Sequence, residues 1–176
     1  MISKSKYIPF LLFLVLHACQ NPFSKQIQII NDLEVSTVNN VSKLETINLT
    51  IVEQNLKIAK TNLLQLEDKN LDTLSFELIY FEYRKYLNCV NILQDSFEKV
   101  KQFKKQNTFN QEQLSNLKLD YKNSNIIRTD LDHYLQKERA FIKKTNKEID
   151  KFVQEIHRNK LLFDSVNQII ETTIHE

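Results

Sequence analysis

The 176-residue chain contains no glycine, and beyond Pro22 it contains no proline. Hairpin turns, phosphate loops and nucleophile elbows use glycine to reach positive φ without a Cβ clash. A chain without it is ill suited to β-rich folds and to P-loop or dinucleotide-binding enzymes. When both common helix breakers are missing, long helices are what remains. Asparagine is abundant instead, with 18 copies in the chain, and it can cap and turn helices in place of glycine.

The apolar pattern has helical spacing. Between residues 27 and 66, Val41, Leu44, Ile47, Ile51, Leu56, Ala59, Leu63 and Leu66 mostly recur every three or four positions, which makes one stripe. Residues 67–70 read as a tight reversal, with Asn70 placed to cap the next helix. A second stripe runs through Leu71, Leu74, Leu78, Phe81, Cys89, Leu93, Phe97, Val100 and Phe103, and polar residues 104–108 predict a second turn. A short amphipathic piece from Gln111 to Tyr121 follows, and residues 122–125 read as a break. Thr129 with Asp132 three positions on resembles a capping box.

The final stripe is Leu135, Glu138, Ile142, Thr145, Ile149, Phe152, Ile156, Asn159, Phe163, Val166 and Ile170. It alternates three- and four-residue steps, the coiled-coil signature, with Glu138, Thr145 and Asn159 as polar members that can set register. The expected fold is all-α: an elongated antiparallel three-helix bundle or coiled coil with a short fourth helix. One domain covers residues 27–176. Its long helices would each measure roughly 50–65 Å at 1.5 Å per residue, and short connections make neighbours antiparallel.

The N-terminus carries a different signal. Lys4 and Lys6 precede an apolar run from Tyr7 to Ala18, which ends at Cys19. The run is well short of the roughly 20 residues a membrane-spanning helix needs, but it suits the apolar region of an export signal. Leu16, Ala18 and Cys19 resemble the signal peptide of bacterial lipoproteins. That resemblance implies cleavage after residue 18, acylation (palmitate among the chains) of Cys19, and a short tether over residues 19–26. Two or more acyl chains anchor stably where one does not. Gln20, in place of an aspartate after the cysteine, implies the outer membrane facing the periplasm as the site of attachment.

Without Lys4 and Lys6 the remaining chain carries 22 Lys and Arg against 22 Asp and Glu. A neutral chain offers no bulk electrostatic case for nucleic-acid binding. Asp130 and His133 share a helix face, but a di-iron bundle needs two Glu-x-x-His motifs and two further glutamates. No metal, cofactor or catalytic constellation is expected, and the chain does not read as an enzyme. Cys89, the second cysteine, reads as a small buried apolar residue, with an intermolecular disulfide as the alternative.

The one local cluster is aromatic: Phe76, Tyr80, Phe81, Tyr83 and Tyr86. Phe76, Tyr80 and Tyr83 share one helix face, and Phe81 lies toward the seam. Tyrosine suits half-wet interfaces, so Phe76, Tyr80, Tyr83 and Tyr86 form a candidate platform for a partner helix or a glycan. Packing inside the bundle is the alternative. The sequence therefore predicts a lipid-anchored structural or interaction protein of the cell envelope, presenting long helical faces to a protein partner or to itself. The alternative is a periplasmic binding or chaperone-like module with an apolar groove.

Overall fold

Two uninterrupted helices form the spine of the molecule, and two shorter ones in succession lie along it. The computed structural model describes residues 23–123 and 128–175. They form α1 (Ser24–Glu45), α2 (Leu49–Asp68), α3 (Thr73–Asn123) and α4 (Arg128–His175). There is no strand among the described residues. The protein is an all-α helical bundle.

Pairing across the helices fixes their directions. Tyr86 stacks on Phe163, Phe103 packs on Phe152, and Tyr121 bonds to Asp132, so α3 and α4 run antiparallel. The first arm runs parallel to α4. Gln26 meets Asp132 and Asn40 meets Asn146, each 106 positions on. In α2, Asn62 meets Asn167 and Lys69 meets the Thr173 carbonyl, at offsets of 105 and 104. The register thus passes almost unchanged from α1 to α2, and together they serve as one bent third strut.

The bend at residues 46–48 divides the stripe expected to form a single helix. Asn48 has extended backbone, and its side chain accepts from the Ile51 amide to start α2. Ile47 before this cap and Val52 four residues after it are both buried in one cluster, the arrangement of a hydrophobic staple. The next reversal falls where expected, but its chemistry differs. Asn70 has φ 48°, so it turns the chain in the left-handed region, and the cap of α3 is Asp72, whose carboxylate accepts from the Ser75 amide at 2.8 Å.

The turn expected at residues 104–108 does not form. α3 runs through it for 51 residues, about 77 Å, and the piece from Gln111 to Tyr121 lies in its last quarter rather than forming a separate helix. Asn107, read as a turn residue in the sequence, is fully buried, as is Asn110 one helical step further on. The fourth helix arises instead from the bend in the first arm. At the N-terminus α1 begins at Ser24, so the last residues assigned to a tether form its first turn.

Two apolar clusters make the core. The larger joins Leu44, Val52, Ala59 and Leu66 of the first arm to Tyr86, Leu93 and Val100 of α3 and to Ile149, Phe163 and Ile170 of α4. The smaller joins Ile30 to Leu114, Leu117 and Tyr121 and to Leu131, Leu135 and Ile142. Between them lies a polar layer of Thr37, Asn40, Asn107, Asn110 and Thr145, all buried. The α4 seam is buried as its spacing predicts, including Thr145 and Asn159. Glu138 stays half-buried, and burial pushes its carboxyl above the usual range.

Candidate interaction surface

Three layers of polar side chains hold the struts in register, each drawing one member from every arm. In the first, Tyr121 of α3 and Gln26 of α1 donate to Asp132 Oδ1 of α4 at 2.8 and 3.4 Å. In the second, Asn40 Nδ2 donates to Asn107 Oδ1 at 3.3 Å and to Asn146 Oδ1 at 2.6 Å. In the third, Tyr86 Oη and Asn62 Nδ2 donate to Asn167 Oδ1 at 2.6 and 2.9 Å. Buried amides impose geometry because an unmatched one is penalised by its lost hydration. These layers were not foreseen from sequence. The available signal was asparagine at heptad core positions, as at Asn159.

The third layer corrects the aromatic platform. Tyr86 is fully buried, its ring lying 5.3 Å from Phe163 with an 18° interplanar angle. Burial pushes its phenol up to about 12, helped by the Glu171 charge and opposed by the Asn62 bond. Six residues of helix turn Tyr86 some 240° away from Tyr80, so the two cannot share a face. Phe76, Tyr80 and Tyr83 do come together: Phe76 meets Tyr80 and Tyr83 edge-on at 6.0 and 5.6 Å. Arg84 lies over the Tyr80 ring at 5.9 Å. Tyr83 is half-buried against the core, while Phe76 and Tyr80 stay partly exposed.

A second surface stands beside this aromatic face. Leu74, Leu78 and Phe81, which sequence spacing assigned to the core stripe, are 70, 79 and 74% exposed. The stripe holds from Cys89 onward, but ahead of it α3 turns Ile79, Tyr83 and Tyr86 toward the core instead. Leu74, Leu78 and Phe81 therefore form an apolar row with no covering arm among the described residues. Apolar side chains exposed as a row, rather than singly, are typical of contact surfaces.

Lower along the rod, Leu56, Leu63, Leu64 and Val90, with Lys60, Glu67 and Gln94, line an open groove of about 380 Å³ between α2 and α3. Cys89 is a free, fully buried thiol, and burial pushes its pKa up, which makes it a poor nucleophile. His133 and His157 are exposed, the latter 3.3 Å from the Thr46 hydroxyl. No cluster of three metal-ligating side chains occurs among the described residues.

No described helix is long and apolar enough to cross a membrane. Cys19 and the export-signal segment lie outside the described residues. Compared with protein-family models, curated proteins and solved structures, the chain matches none of them.

Proposed function

We propose that this protein is a lipid-anchored component of a bacterial cell envelope, held at Cys19, that presents the exposed end of a helical rod to a protein partner. The exposed row of Leu74, Leu78 and Phe81 carries the second half of this reading, because it offers contact area that the bundle does not use. The charge pattern before Tyr7 and the sequence Leu16-His17-Ala18-Cys19 support the first half. Anchoring and contact surface sit at opposite ends. The chain enters the bundle at Phe23, whose ring packs 5.4 Å from Tyr121, and 43 residues of α3 separate Tyr121 from Leu78. That is about 65 Å of helix.

Mass spectrometry of material purified from membranes tests the anchor. A mature chain beginning at a diacylated or triacylated Cys19 is the expected result, and an unmodified thiol there would remove the envelope assignment. A second reading, a binding module for apolar ligands or unfolded segments, draws on the groove lined by Leu56, Leu63, Leu64 and Val90. An environment-sensitive dye brightening on the folded protein, and displaced by apolar peptide, would favour it.

A further inference from the structure

We propose that the N-terminal stretch of α3 pairs antiparallel with the same stretch of a second copy of the chain, through Leu74, Leu78 and Phe81. This rests on the reading of the exposed row as a contact surface and specifies what covers it. Leu74, Leu78 and Phe81 are separated by four and then three residues, the step of a coiled-coil seam, and all three are more than two-thirds exposed. The seam is thus a second one on α3, turned away from the face that Ile79, Tyr83 and Tyr86 direct into the bundle.

The flanking charges choose the partner and its direction. Glu77 and Arg84 lie along one side of the row, Ser75 and Glu82 along the other. In a parallel pair, Glu77 would face Glu82 of the second copy, and this like-charge contact would occur twice. In an antiparallel pair about a two-fold axis between Leu78 and Phe81, Glu77 faces Arg84 of the second copy, again twice, while Ser75 faces Glu82. A two-fold contact must be complementary to itself, and this row meets that condition in the antiparallel arrangement alone. Leu78 then packs against Phe81 of the second copy in two equivalent layers at the centre. The seam is short, so the dimer is weak, with an expected dissociation constant on the order of 10–100 μM that confinement to a membrane surface would offset.

Sedimentation equilibrium of the full chain, purified with its native N-terminus in density-matched detergent, tests the pairing across that concentration range. The intact protein should show a monomer–dimer equilibrium, and Leu78→Glu should weaken it at least about 100-fold, because two leucines leave the seam and two charges enter it. Glu77→Arg alone and Arg84→Glu alone should each weaken self-pairing about tenfold. Mixed together, these two variants should form a heterodimer, since both pairs between positions 77 and 84 become opposite in sign again; parallel pairing would not give that rescue.

Unchanged helical circular dichroism in each variant separates lost pairing from lost folding. A species that stays monomeric at several times the upper concentration, or a dimer indifferent to Leu78→Glu, would overturn the proposal. Neither result touches the anchor, which is read independently from the mass at Cys19. A dimer with an unmodified Cys19 would conversely remove the anchor and leave the pairing intact.

Discussion

Asn40 donates its amide to Asn146 Oδ1 across 2.6 Å, joining residues 106 positions apart in the chain. The same amide reaches Asn107 at 3.3 Å, so one side chain ties three arms together between two apolar clusters. In Asn40→Ala, the buried Asn107 and the half-buried Asn146 both lose their donor. Urea unfolding followed by circular dichroism should then show a loss of about 1–3 kcal/mol. A loss below about 0.5 kcal/mol would mean that water enters the layer and replaces the amide.

Tyr86 predicts how the protein responds to alkali. Its phenol has an ordinary pKa of 10.0 and is pushed up to about 12 in the fold by burial. The folded state therefore favours the neutral form: this contribution is complete below pH 10 and is lost as pH rises from 10 toward 12. Absorbance at tyrosinate wavelengths should show a late-titrating component that includes Tyr86, and helicity should fall with its ionisation. Tyr86→Phe should reduce that component by one tyrosine while losing about 1 kcal/mol through the missing bond to Asn167.

Asp72 provides the opposite sign. Hydrogen bonds from Ser75 hold its carboxyl below the ordinary 3.8, so its contribution is present above that value and fades as pH falls through the lowered one. Acidification below about pH 4 should loosen the first turn of α3 before the rest of the rod. Amide hydrogen exchange at Ser75 and Phe76, both tied to Asp72, should accelerate there ahead of exchange at Leu93.

The two leucine environments on α3 should separate cleanly. Leu93 is fully buried, and Leu93→Ala should lower stability by about 2–5 kcal/mol. Leu78 is 79% exposed, and Leu78→Ser should change monomer stability by no more than about 0.5 kcal/mol. Denaturant midpoints measured at low protein concentration, where self-pairing is absent, check both values. A large loss at Leu78 would show that the row is covered within the same molecule.

The α4 seam was readable from its alternating three- and four-residue steps, because one continuous helix buries one continuous stripe. Periodicity also found the stripe through Leu74, Leu78 and Phe81, but it cannot say which of two apolar directions faces the core. That choice is made by Ile79, Tyr83 and Tyr86, which lie on a different azimuth of the same helix. Asn107 was misread for a related reason. Asparagine favours turns by bonding nearby backbone, but here it bonds the Phe103 carbonyl one helical turn back without breaking α3, and it accepts from Asn40 across the interface. The bend at Thr46–Asn48 lacked a visible mark, since asparagine is common along the whole chain and only Asn48 with the Ile47–Val52 staple starts a helix there.

The chain enters beside Tyr121 and exposes Leu78 at the far pole, so the molecule has a root and a tip. Whatever grips the root carries the tip as a pointer on a stiff arm some 65 Å long. Lengthening or shortening all three struts together by whole heptads would move that pointer by about 10 Å per step. Reach could then be varied independently of the chemistry at either pole.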